Sequence, residues 1–202
     1  MKLAHFTFIA VALLLGACYT PPSKVTREAP HGNYTLDPAH ASVVWSLSHA
    51  GLSHYTARFD NITGALVFDS EHPQNSHVDI RIDPTSISTG DPEFDKDIAY
   101  KKSYFNANTF PEIRFVSTNI RLTGEDKGEI IGDLSFRGQT HPVTLTTIFD
   151  GAGKSFGHPG KTLGFSAITQ FKRSDFGFNH LINFGIGDEV SVVIEVEFNE
   201  QK

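Results

Sequence analysis

Hydrophobic and polar positions alternate with period two along most of the chain. Val43, Trp45, Leu47 and His49 fall on one side of this pattern, with Val44, Ser46 and Ser48 on the other. Val78, Ile80 and Ile82 alternate with Asp79, Arg81 and Asp83, and Ile130, Leu134 and Phe136 oppose Glu129, Asp133, Ser135 and Arg137. Leu163, Phe165, Ala167, Thr169 and Phe171 face away from Ser166 and Gln170, and Val190, Val192, Ile194, Val196 and Phe198 face away from Ser191, Glu195 and Glu197. One apolar face repeating at period two is the pattern of half-buried antiparallel strands. Arg137-Gly138-Gln139, Asp126-Lys127-Gly128 and the glycine-rich Asp150 to Lys161 supply the turns between them. One stretch fits a helix, Glu93 to Phe105, introduced by Asp91-Pro92 and polar enough to lie on the surface. Eight or nine strands with no strand–helix alternation predict an all-β fold: an extended antiparallel, lipocalin-like barrel of about eight strands with one short surface helix.

The strand predicted over Gly187 to Phe198 would run about 40 Å at the usual rise, against five or six residues for a typical strand. An eight-stranded barrel can be filled by its own side chains or can hold one small ligand. Trp45, Phe59, Phe68, Phe115, Phe136, Phe149, Phe165 and Phe171 make the inward-facing set strongly aromatic, among 17 Phe in all. Composition fits a solid aromatic core and a ligand tunnel equally.

The first eighteen residues carry a different signal. Lys2 precedes an apolar run of ten, Phe6 to Leu15, broken only by Thr7. That run is shorter than the roughly 20 residues of a membrane-spanning helix and reads as the core of a secretory signal peptide. Leu15-Gly16-Ala17-Cys18 resembles a bacterial lipobox, in which the cysteine is lipidated before cleavage. Cys18 is the sole cysteine, and a lone free thiol would be a liability in an oxidising compartment. The expected organisation is a signal peptide over 1–17, a lipidated Cys18 with a tether over 18–32, and the barrel over 33–199. Thr20 to Gly32, rich in Pro, Ser and charge, suits a tether. The expected location is the outer membrane facing the periplasm, because Tyr19 rather than Asp follows the cysteine.

Removing 1–17 takes away Lys2 alone, so 17 basic residues become 16 against 23 acidic ones, a net of −7. That excess disfavours nucleic acid as a partner. Ten histidines invite a metal reading, but His49/His54 and His72/His77 lack the spacing of a helical zinc motif. No nucleophile elbow, phosphate-cradling loop or dinucleotide fingerprint is present. No catalytic residue, metal or cofactor is therefore expected, and a hydrolase or isomerase stands only as a remote alternative.

Six segments in register resemble the YceI-like lipid- and polyisoprenoid-binding family. They are Tyr34-Thr35-Leu36-Asp37-Pro38-Ala39-His40 running on to His49, and Phe59 with Gly64 ahead of Leu66-Val67-Phe68-Asp69. Ile82-Asp83-Pro84-Thr85-Ser86 with Ile87 to Gly90, and Tyr104-Phe105 with Phe110-Pro111-Glu112-Ile113-Arg114-Phe115, continue the series. Asp133 to Val143 and the closing Arg173-Ser174-Asp175-Phe176-Gly177 with Gly187-Asp188-Glu189-Val190 complete it. His141 stands where the family usually carries Lys, and Asp150 to Lys161 is longer and richer in glycine than the family pattern.

The resemblance implies an apolar tunnel for an isoprenoid-tailed lipid, a quinone or a polyprenyl phosphate, bound without catalysis for carriage, storage or sequestration. A scavenger of diffusing hydrophobic compounds is the alternative that the same cavity would serve. The expected ligand contacts are Val43, Trp45, Leu47, His49, Phe59, Phe68, Ile80, Phe115, Phe136, Phe149, Phe165, Phe171, Arg173, Asp175 and Phe176. Within that set Arg173 is the candidate head-group cation, the alternative being an ion pair with Asp175 that fixes the turn. His49 is either a head-group contact or a hydrogen-bonded core residue. A membrane redox protein and a second copy of the chain stand as candidate partners besides the lipid and the membrane itself.

Overall fold

A computed structural model describes residues 20–155 and 157–201. Ten strands and one α-helix follow one another: β1 (Gly32–His49), β2 (Ser53–Phe59), β3 (Ile62–Phe68), β4 (His77–Ile82), β5 (Ile87–Ser88), α1 (Pro92–Tyr100), β6 (Ile113–Leu122), β7 (Lys127–Phe136), β8 (Gln139–Gly153), β9 (Thr162–Lys172) and β10 (Ile186–Glu200). All pairings are antiparallel, and the sheet closes on itself where β10 pairs with β1. The long β1 pairs with β3 near its start, Gly32 to Thr35, and with β2 from Val43 to His49. The interrupted β2 and β3 therefore form one stave of the wall, and the ring β1–β3–β4–β6–β7–β8–β9–β10 counts eight. Closure leaves no long free edge in the wall.

The alternation read from the sequence becomes the two faces of this wall. Val190, Val192 and Phe198 are buried along β10, and Leu163 and Ala167 along β9. Val193 and Ile168 fall on the outer face and are exposed. The β7–β8 turn is a two-residue connection in which Arg137 and Gly138 both take positive φ, 51° and 75°, the geometry that matches strand twist. A Cβ on Gly138 would lie 2.7 Å from the ring of Phe110, so the Phe110-Pro111 segment can pack on that turn only over a glycine.

Two features differ from expectation. The helix is shorter, ending at Tyr100, and it is not merely a surface element: Ile98 and Ala99 are 3% and 1% exposed. Its start follows the expected chemistry, with Pro92 in the first turn and the Asp91 carboxylate accepting from the N–H groups of Glu93 and Phe94. Secondly, Thr20 to Gly32 is not a free spacer along its whole length. Ser23 exchanges two backbone hydrogen bonds with Ala152 at the end of β8. Ala29 is buried in the core, and Tyr34 donates its hydroxyl to the Pro30 carbonyl at 2.7 Å. Burial, with Glu200 nearby, pushes the Tyr34 hydroxyl up to about 12, so it stays a donor at ordinary pH. The expected signal peptide and Cys18 lie outside the described residues.

Candidate functional site

Aromatic side chains gather at the two ends of the barrel. At the end where β1 finishes and β10 begins, Phe59, Phe105, Phe136, Phe171, Phe176 and Phe178 form a connected group with ring centroids 5.4–6.2 Å apart. Phe105 follows α1 in the chain, and Phe178 lies in the loop after β9. Tyr104 meets Phe94 of α1, Phe178 and His180, so helix and loop are joined across this mouth. At the opposite end Tyr34, Phe68, Phe149, Phe165 and Phe198 form a second group. Edge-to-face contacts dominate both groups, the arrangement favoured by the ring quadrupole.

Between the two groups the barrel is hollow. A cavity of about 200 Å³ is lined by aliphatic side chains at its waist, among them Leu66, Val78, Ile130, Leu145, Ile194 and Val196, with Phe rings towards each end. The structure departs here from a completely filled core. A Cβ on Gly132 would lie 2.4 Å from the ring of Phe115, so a glycine in β7 lets that ring lie flat against the wall.

Ten of the fifteen expected ligand contacts line the cavity: Val43, Trp45, Leu47, Phe59, Ile80, Phe115, Phe136, Phe165, Phe171 and Arg173. Five do not. Phe68 and Phe149 stack on each other behind Phe165 and help to close the far end. Phe176 is 1% exposed beneath Phe136, Phe171 and His141, a packing residue of the helix-end group. His49 is exposed at the last position of β1, beyond the cavity wall, because the row ends in the turn that begins at Ala50. Asp175 is exposed on a short 3-10 turn and makes no ion pair with Arg173. The carboxylate that meets this turn is instead Asp188, which accepts from the backbone N–H and hydroxyl of Ser174 at 2.9 and 2.8 Å.

Arg173 touches the cavity, yet three of its five N–H donors are committed elsewhere. The side chain is 2% exposed; its Nε donates to the Gly187 carbonyl at 2.8 Å, and its two terminal nitrogens to Phe178 and Ile186 at 3.1 Å. The guanidinium carbon lies 4.8 Å from the Phe178 ring centroid, a cation–π contact. Burial lowers its pKa, opposed by Asp188 and Tyr104. This geometry ties the loop after β9 to the start of β10 and aligns Phe178 across the mouth, so the guanidinium acts as a clamp in place of the expected ion pair with Asp175.

Three further residues that carry polar groups line the cavity, Trp45, Thr147 and Thr169. The Thr147 hydroxyl donates to the Leu145 carbonyl at 3.4 Å, and the Thr169 hydroxyl to the Thr144 carbonyl at 2.8 Å. The Trp45 indole N–H is buried and has no partner. The Arg137 Nε is likewise unpartnered, but Arg137 lies off the cavity wall, with its guanidinium 5.4 Å from the Phe178 centroid.

Sequence reasoning missed Phe105 and Phe178 as lining residues, because both sit in irregular segments where period two says nothing. It also missed a cluster outside the cavity, where β1 bulges between Leu36 and Ala41. There the ligating atoms of Asp37, His40 and Glu197 come within 4.8 Å of one another. His40 Nδ1 lies 3.0 Å from an Asp37 carboxylate oxygen that also accepts from the Asn199 amide at 3.0 Å. The partners on β10 are remote in sequence, so no local spacing could reveal them.

Comparison with known proteins places this barrel. The model of the YceI-like domain matches residues 34–198. A UPF0312 protein of Pseudomonas putida (strain GB-1) is 35% identical over 153 residues, 74% of this chain and 78% of the relative. One from Pseudomonas fluorescens (strain SBW25) is 35% identical over 148 residues, 72% of this chain and 76% of the relative. Among solved structures, BcnA of Burkholderia cenocepacia superposes with a TM-score of 0.69 at 22% identity, over 80% of this chain and 98% of its own. A polyisoprenoid binding domain from Saccharophagus degradans superposes with a TM-score of 0.61 at 16% identity, over 83% of this chain and 98% of its own.

Proposed function

This chain belongs to the YceI-like family, and from that premise we propose that it binds one long apolar lipid, an isoprenoid, in the barrel cavity and catalyses no reaction. The cavity carries this reading: its wall is apolar from one aromatic group to the other, apart from Trp45, Thr147, Thr169 and Arg173. The name of the Saccharophagus degradans domain, which shares the fold, supports a polyisoprenoid as the ligand. Burying an apolar tail is worth about 25 cal/mol per Å², so 400 Å² of tail contributes on the order of 10 kcal/mol before ordering costs. Shape and dryness therefore supply the affinity, and no general acid, base or nucleophile is needed.

The reading extends to location. Export, lipidation of Cys18 and outer-membrane anchoring towards the periplasm give the barrel access to its ligand's native phase. Cys18 lies five residues before Ser23, at most about 18 Å of extended chain. With Ser23 held on Ala152, such an anchor keeps the barrel end opposite α1 close to the bilayer. Carriage, storage or sequestration of the lipid follows from this arrangement.

Filling the waist tests the binding role. Ile194 lines the cavity between Val43 of β1 and Ala167 of β9. Ile194→Trp should place its indole in vacant space, sharply lowering the lipid recovered by solvent extraction while the melting temperature stays near that of the wild type. A filled core would instead lose about 1–3 kcal/mol to overpacking. Unchanged lipid recovery from the variant would refute a ligand in the cavity.

A further inference from the structure

We propose that the lipid enters and leaves the barrel at the end opposite α1, through a second cavity whose lid is the segment Ser23 to Ala29. The inference rests on the main cavity being a lipid site and adds the route to it.

Among the described residues a second cavity, of about 80 Å³, adjoins the main one at that end. The two share Leu66, Val78, Ile130, Thr147 and Phe165 as lining residues. The rest of its wall includes Thr26 of the N-terminal segment and Leu122, Glu125 and Asp126 where β6 turns into β7. Leu122 is 47% exposed, so this cavity reaches the surface. Phe68 and Phe149, which help to close the far end of the main cavity, line the second one.

The two ends of the barrel are not closed alike. At the α1 end six Phe rings are in mutual contact, and Arg173 ties the covering loop with three hydrogen bonds to carbonyls. At the other end the segment over the cavity is pinned at two points. Ser23 exchanges backbone hydrogen bonds of 2.9 and 2.8 Å with Ala152, and Ala29 is buried at 4% exposure. Between those points Lys24, Val25, Arg27 and Glu28 are exposed. Pro22 rests on two glycines of β8, where a Cβ on Gly153 would lie 3.2 Å from its ring. A segment with so few buried contacts opens at a lower free energy than the body of the fold. The lid therefore lifts before the α1 end parts.

The ligand's chemistry favours the same end. An isoprenoid tail that crosses open water loses its apolar burial, so its doorway belongs at the membrane. A lipidated Cys18, five residues before Ser23, holds this end within about 18 Å of the bilayer. Val25 on the lid and Leu122 on the rim then offer exposed apolar contacts to it.

Locking the lid tests the route. Two residues that exchange both backbone bonds have Cα atoms about 5.5 Å apart, inside the range that a disulfide spans. Tritiated squalene and a tritiated isoprenoid quinone are loaded separately on the mature protein in mild detergent, and release is followed against excess unlabelled lipid. With Ser23→Cys and Ala152→Cys combined, the oxidised form should release either probe about tenfold more slowly than wild type or slower still, and reduction should restore the rate. The amount bound at equilibrium should stay the same, because a lid slows entry and exit alike. Gly153→Val crowds Pro22 and should speed release by about tenfold, the effect of weakening one or two backbone hydrogen bonds. Tyr104→Ala loosens the α1 end and should leave the rate within about twofold of wild type. Equal release from the oxidised and reduced forms, or faster release from Tyr104→Ala with none from Gly153→Val, overturns the proposal. Should neither probe bind the wild-type protein, the lipid-binding reading itself fails, a result distinct from binding with unaltered rates.

Discussion

Arg173 offers the sharpest contrast between a residue that touches a cavity and one that serves it. In Arg173→Ala three backbone carbonyls, those of Gly187, Phe178 and Ile186, lose their donors at once. Hydrogen bonds from a charged group contribute about 1.5–3 kcal/mol each. Partial opening of the loop to water recovers some of that, so we expect a loss of about 4 kcal/mol. For a barrel of this size each kcal/mol moves the melting temperature by about 2–4 °C, so the transition should fall by about 8–16 °C. Arg173→Lys keeps the charge but cannot span three carbonyls, because an ammonium is a compact point charge; it should recover less than half of the loss. Calorimetric melts of the lipid-free proteins measure this, and competition between a quinone and squalene on the same variants measures selectivity. The relative preference should be the same in wild type and both variants. An Arg173→Ala protein that melts within about 2 °C of wild type and has lost its preference for a polar head would refute the clamp and make the guanidinium the head-group reader.

Other tests follow from the outer face and the N-terminus. The hydrogen bond to Asp37, with Glu197 nearby, raises the His40 pKa above 6.5, while the same bond lowers the Asp37 carboxyl below 3.8. His40's contribution to stability is full below about pH 6.5 and is lost as pH rises through its raised folded value. Asp37's is present above pH 3.8 and is lost as pH falls through its lowered folded value. In an NMR titration Asp37→Asn should bring the His40 midpoint down towards 6.5; an unchanged midpoint would show that the pair is not formed. For the anchor, Cys18→Ser should abolish fatty-acid labelling and leave an unprocessed precursor, and maturation to the wild-type mass would disprove lipidation.

How legible was this molecule in its sequence? The wall was, because period two is a local signal and a strand that buries one face cannot hide it. Val190 to Phe198 and Leu163 to Phe171 read as strands from their alternation alone, and both line the barrel. Arg137-Gly138 read as a turn because few residues tolerate two consecutive positive φ angles. Closure of the ring was not readable, since the pairing of Leu36 with Phe198 joins opposite ends of the chain. The cavity was not readable either: Phe68 and Phe165 follow the same pattern, and only packing decides that one plugs the end while the other faces the void. Arg173 misled for a related reason. Its position at the end of an inward-facing strand pointed to the ligand, but Gly187, Phe178 and Ile186 all lie later in the chain and take three of its five N–H donors. The unmet N–H of Trp45 is the converse, since an absent partner has no sequence signature at all.

Native mass spectrometry of the protein purified in mild detergent from its own membrane tests lipid binding most directly. The account predicts a protein ion carrying one additional mass, released on activation and matched by an isoprenoid lipid in the solvent extract. A protein that is recovered folded, carries no lipid, and takes up none when offered a quinone or a plain polyisoprenoid would contradict it.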